Sequence, residues 1–226
     1  MIMKKILVFL LCAQIGVVFC QKDSLEIGSS YWEDQLYFGV TFNELINQPS
    51  GVLGSGFSFG VNMGYIRDIS LVKSGKLALG VGIGYAYDAF RHGFKLYTQN
   101  DRVVVELDDT VQSRNDLRMH SLEFPLEFRW RTSTANKYKF WRIYTGAKFS
   151  YHLKNAMNYT DNTVVTTYNN VARFNKLQCG LTLSAGYSSF NFNVYYGLTP
   201  ILKDASIGTT SIGSRVLRLG MVFYLL

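Results

Sequence analysis

The sequence predicts an all-β protein: an eight-stranded antiparallel up-and-down barrel that crosses a membrane and encloses a closed, polar lumen. Three observations lead there. The 226 residues are 48% hydrophobic and 15% aromatic but only 17% charged, with Tyr 15, Phe 16 and Gly 20 against Pro 3. Charge below the usual ~25%, with abundant aromatics and glycine, favours strands and close backbone packing over helical bundles. Eight runs alternate apolar with polar or small residues, the period of strands whose two faces meet different surroundings. Beyond Gln21 no stretch of about 18 apolar residues occurs, so a membrane crossing would have to be made by strands.

In chain order, residues 1–20 read as a signal peptide. Lys4 and Lys5 form the positive start, Ile6 to Phe19 the apolar stretch, and Val18-Phe19-Cys20 a cleavage site before Gln21. Acylation of Cys20 is the competing reading, and Phe19 is a poor residue to precede a lipidated cysteine. Removing this segment takes away two lysines and no acids, lowering the formal charge from +7 to +5, and leaves Cys179 as the one thiol of three. A disulfide framework and a cysteine-rich zinc site are excluded on that count. The basic residues gather in no single arm or patch, which argues against a nucleic-acid partner. Residues 21–33 are expected to be a periplasmic segment and 34–226 the barrel.

The first run sets Leu36, Phe38, Val40 and Phe42 against Gln35, Tyr37, Gly39, Thr41 and Asn43. The second sets Phe57, Phe59, Val61, Met63 and Tyr65 against Ser58, Gly60, Asn62 and Gly64, with Arg67-Asp68 read as its close. The third sets Leu77 to Tyr85 at odd positions against Ala78, Gly80, Gly82, Gly84 and Ala86, a nearly bare inner face. In the fourth, Leu122, Phe124, Leu126, Phe128 and Trp130 oppose Ser121, Glu123, Pro125, Glu127, Arg129 and Arg131. The fifth places Trp141, Ile143, Phe149 and Tyr151 opposite Arg142, Tyr144, Lys148 and His152. The sixth (177–187), seventh (191–199) and eighth (216–225) divide in the same way.

A soluble sandwich also alternates, but the faces opposite the bulky apolar ones mix Gly, Ser, Thr and Asn with Glu, Arg, Lys and His, an odd exterior for a sandwich and a fit for a narrow lumen. Tyr and Trp collect at run ends, as at Tyr85, Trp130, Trp141, Tyr151 and Tyr187, where interfacial girdles belong. Connections alternate long (44–53, 90–116, 154–173, 202–214) and short (69–76, 132–139, 188–189), the habit of barrels in the cell outer membrane. An even strand number puts both termini on the periplasmic side. Arg218-Leu-Gly220-Met-Val-Phe223-Tyr-Leu225 resembles an outer-membrane assembly signal, with Leu226 following it. Within the long second loop, Phe94 to Tyr97 and Val103 to Leu107 are expected to pair as a hairpin above the membrane.

An eight-stranded lumen is just wide enough to be filled by side chains, so conduction is not expected. The inward residues Glu123, Glu127, Arg129, Arg142, Lys148, His152 and Arg218 read as a structural network, with Tyr37, Tyr144, Tyr195 and Tyr224 among them. Buried charges need partners, and Glu123 and Glu127 are expected to tie the fourth strand to basic residues across the lumen. No enzyme is expected: no triad spacing is visible, and Ser121 faces away from its neighbour His120. Three scattered histidines give no metal-ligand spacing. No cofactor is implied, because Gly80, Gly82 and Gly84 recur at period two in a strand with no helix after them.

Ser121-Leu-Glu-Phe-Pro-Leu-Glu-Phe-Arg-Trp-Arg131, then Phe140-Trp-Arg-Ile-Tyr-Thr-Gly-Ala-Lys148, resembles the central hairpin of the PorT family of Bacteroidota outer-membrane barrels. The Glu-x-Pro-Leu core is common among small barrels of that group, and the specific part spans about residues 121–151. The resemblance implies a role in type IX protein secretion and gliding motility, with outer-membrane lipid and secretion-system proteins as partners and no catalytic residues. A small porin, or a surface binding or adhesion barrel acting through its outer loops, are the other readings.

Overall fold

The computed structural model describes residues 34–48, 57–92, 94–99, 102–107, 115–132, 141–161, 164–171, 174–203, 206–207 and 210–225. The expected signal peptide and periplasmic segment lie outside the described residues. In chain order the strands are β1 (Gln35–Ile46), β2 (Phe59–Ser70), β3 (Leu77–His92), β4 (Phe94–Gln99), β5 (Arg102–Leu107), β6 (Asn115–Arg131) and β7 (Trp141–Asp161). They continue with β8 (Val164–Asn169), β9 (Leu177–Tyr187), β10 (Phe190–Gly197), β11 (Ser206–Ile207), β12 (Thr210–Ser211) and β13 (Arg215–Leu225). No helix occurs among the described residues.

Eight strands close a ring in the order β1-β2-β3-β6-β7-β9-β10-β13, each antiparallel to both neighbours, and β13 returns to β1 with Leu36 opposite Leu225. Closure leaves no unpaired edge around the ring, a requirement in hydrocarbon, where backbone groups have no water to bond. The period-two reading matches the burial of every ring strand. In β1 burial alternates from Gln35 onward, and in β6 from Leu117 the odd residues are buried while the even ones face out. Short connections and both ring termini lie at one end, here the turn end. There Gly75 adopts φ 67°, and Ser188 φ 58° in the Ser188-Ser189 turn. The opposite, loop end faces outward from the cell by the habit of such barrels.

The strands run further at the loop end than the alternation alone suggested. β3 continues to His92 and β6 starts at Asn115, with Arg91 opposite Asp116, so much of the segment read as loop 90–116 is ladder. β2 passes Arg67-Asp68 to reach Ser70, with Asp68 buried inside. β7 has 21 residues, where about 9–11 suffice to span a bilayer, and its upper part pairs with β8. A bulge sits between β6 and β7: His120 opposes Lys154 while Ser121 opposes His152, leaving Leu153 extra. The bulge switches the inward parity of β7 from His152 to Asn155 and Met157. β4 and β5 pair from Phe94 opposite Leu107 to Gln99 opposite Arg102, the hairpin expected in the second loop.

This extension changes the lumen itself. At its loop end the interior is largely apolar: Leu45, Phe90, Leu117, Met119, Met157, Val171, Phe174, Ile201, Leu202, Ile212 and Val216 form one buried apolar cluster. Above the membrane, inward faces meet returning loops instead of a solvated channel, so they are stabilised like the core of a soluble domain. Leu202 bridges to Phe174, fastening two of those loops across the mouth.

Candidate functional site: a filled, ion-paired lumen

Below the apolar cap the lumen holds two charge clusters. Toward the turn end, Arg129 on β6 donates from Nη1 to Asp68 Oδ1 on β2 at 2.5 Å and from Nε to Glu127 Oε2 at 3.0 Å. The same Nη1 reaches Gln35 Oε1 on β1 at 3.2 Å. Arg131 meets the other Asp68 oxygen at 2.5 Å and donates from Nε to the Gly75 carbonyl at 2.7 Å, tying the cluster to the β2–β3 turn. The Arg129 guanidinium lies 4.4 Å from the Tyr144 ring centre and 5.5 Å from that of Tyr224, and Arg142 lies 5.9 Å from Tyr224. Such stacking partly replaces the hydration these cations have lost.

Toward the loop end, Glu123 on β6 accepts from Lys148 Nζ on β7 at 2.9 Å and from Arg218 Nη1 on β13 at 2.7 Å. Arg218 Nη2 meets Asp88 of β3 at 2.7 Å, and Asp88 also accepts from Asn43 Nδ2 of β1 at 2.7 Å. This cluster joins five strands, with the Tyr195 ring 4.7 Å from the Arg218 guanidinium. His152 Nδ1 lies 2.7 Å from Ser121 Oγ on the neighbouring strand.

All seven residues read from sequence as the network, Glu123, Glu127, Arg129, Arg142, Lys148, His152 and Arg218, are buried inside the barrel. Glu127 differs from expectation in its partner: Arg129 is on its own strand, so Glu127 does not reach across the lumen, whereas Glu123 does. The acids that carry most of the other cross-strand pairing are Asp68 and Asp88, which the sequence reading left out. Both keep the inward parity of their strands, and extending the alternation past Arg67 and Ala86 would have found them. Half of the apolar cap had no such signal, because Leu45, Phe90, Met157, Val171, Leu202 and Ile212 fall in segments that read as loops.

The glycine faces make room for this filling. A Cβ at Gly84 would overlap the Tyr37 hydroxyl, one at Gly180 the Tyr195 ring, and one at Gly80 the Arg129 side chain. The remaining space among Tyr37, Asn62, Glu127, Lys148, Thr182 and Tyr224 is a cavity of about 10 Å³, room for one water at most. Ser121 and His152 have the spacing of a nucleophile and base, but both are buried in this filled interior. His120 stands on the outer wall, where its Nδ1 lies 2.5 Å from the Tyr85 hydroxyl.

An outer-membrane protein β-barrel domain family model matches residues 19–203. Among solved structures, the chain is similar to Ail, the attachment invasion locus protein of Yersinia pestis, at 12% identity and a TM-score of 0.39, over 87% of this chain and 100% of that one. It is also similar to neisserial surface protein A, at 11% identity and a TM-score of 0.37, over 88% of this chain and 99% of that one. No curated protein sequence matches significantly. With its family match extending over most of the chain, the protein belongs to the outer-membrane β-barrel domain family.

Proposed function

We propose that this barrel is a non-enzymatic, non-conducting outer-membrane component that supports the assembly or operation of the type IX protein secretion system. The observation that carries the non-conducting part is the lumen: ion pairs and tyrosines fill it, the cavity among Tyr37, Glu127 and Tyr224 has only about 10 Å³, and an apolar cluster stoppers the loop end. A barrel closed in this way acts through its surfaces. The secretion assignment is supported by the resemblance of residues 121–131 and 140–148 to the central hairpin of PorT-like barrels. Pull-down from native outer membranes is expected to recover secretion-system proteins, and a strain lacking the gene is expected to stop exporting type IX substrates. Normal export in that strain overturns the assignment.

A surface-binding barrel is the second reading. A groove of about 670 Å³ on the outer wall at the loop end favours it. The porin alternative finds no support in a lumen this full.

A further inference from the structure

On the outer wall, ring contacts form a continuous line across the strands. Phe42 and Phe57 lie 5.8 Å apart, Phe57 and Phe59 6.3 Å, Phe59 and Tyr87 6.2 Å, and Tyr87 and His120 5.1 Å. From Trp130 to Leu122 the outward face of β6 climbs about eight residues, which at about 3.4 Å each and a tilt of about 40° rise about 21 Å, near the ~25 Å apolar band of such barrels. The ring line therefore runs along the upper edge of the hydrocarbon. Arg118, four residues beyond Leu122, stands about 10 Å higher by the same measure, in the headgroup layer.

There the wall opens into the 670 Å³ groove, floored by Phe57, Phe59 and Tyr87 and edged by Arg91, Arg118 and Asp116. Its edge is built. Arg118 Nε meets Asp116 at 2.8 Å, Asn158 Nδ2 donates to Asp116 at 3.1 Å, and Thr167 Oγ1 donates to Asn158 at 2.8 Å, a chain from β6 through β7 to β8. The Arg91 backbone N–H donates to Ser58 Oγ at 2.9 Å, which holds the Phe57-Phe59 segment against β3. The Arg91 and Arg118 side chains are exposed, and Asp116 is the one carboxylate among the described lining residues. Exposed Lys154, opposite His120, is a further cation on the outer wall of this end. A basic rim over an apolar floor, at the depth where headgroups lie, matches one class of molecule.

We propose that this groove binds the phosphorylated headgroup of an outer-leaflet lipid, with Arg91 and Arg118 taking the phosphate and the Phe57, Phe59 and Tyr87 rings the first part of an acyl chain. A soluble phosphate would use the rim and leave the rings idle, so the membrane is the source. The site does not depend on the secretion reading.

The test uses the full chain folded in micelles doped with a phosphate-monoester lipid and a neutral glycolipid of matched chains, with bound lipid read by native mass spectrometry. The phosphorylated lipid should be retained about tenfold over the neutral one, and Arg91→Gln with Arg118→Gln should remove about that preference. Lys73→Gln with Lys76→Gln, a charge-matched change at the turn end, should not alter it. Phe57→Ser, at a ring 68% exposed, should weaken retention without touching a charge, a second check should the arginine variant fold poorly. Excess inorganic phosphate should not displace the lipid. Equal retention of both lipids, unchanged retention in the arginine or Phe57 variants, or displacement by free phosphate would each overturn the proposal.

Discussion

Glu123 holds two cations from two other strands, and its loss would take the paired carboxylate from Lys148 and leave Arg218 with Asp88 in a buried interior. Removing one member of a buried ionic group typically costs about 3 to 5 kcal/mol. Glu123→Gln should therefore lower the urea midpoint of unfolding from lipid vesicles by an amount in that range. Glu127→Gln should cost markedly less, because Arg129 keeps Asp68. Equal losses would mean that the two acids do the same work despite their different partners. At this scale the sequence showed which residues point inward but not which ones meet. Parity assigns a face, whereas pairing depends on stagger between strands far apart in the chain, as between Glu123 and Arg218.

Among the elements, period-two alternation was readable wherever lipid and lumen impose opposite chemistry on successive residues. Leu181 is 52% exposed and Thr182 5%, so Leu181→Arg puts a charge into hydrocarbon at a cost of about 2 to 4 kcal/mol. Folding yield into vesicles should drop for that variant and for Val194→Arg, while a lipid-soluble label should modify Leu181→Cys and spare Thr182→Cys. Labelling of Thr182→Cys instead would reverse the register of β9. Strand ends were harder to read. Above the membrane the outward faces of β3, β6 and β7 turn polar, with Arg91, Arg118 and Asn158, while the inward Phe90, Leu117 and Met157 line the capped mouth, so the membrane pattern reverses and the strands look finished. The bulge at Leu153 was equally hidden, since one added residue leaves each half of β7 alternating correctly.

The whole molecule is a ring whose stability comes from closure and filling, the loop-end connections sharing in the filling through Val171, Phe174, Leu202 and Ile212. Deleting residues 93–114, which include the separate β4–β5 hairpin, should leave a barrel that still resists heat on a gel, because such loops add little to closure. If the loop end is the working surface, the same deletion should lower export of type IX substrates; normal export would remove this loop from the mechanism. That the barrel works by its surface and not as a pore is tested most directly by single-channel recording of the folded protein in planar bilayers. The filled and capped lumen predicts a flat baseline with no conductance steps in the native chain. Regular ionic steps from the native protein would contradict the closed lumen and, with it, the proposed mode of action.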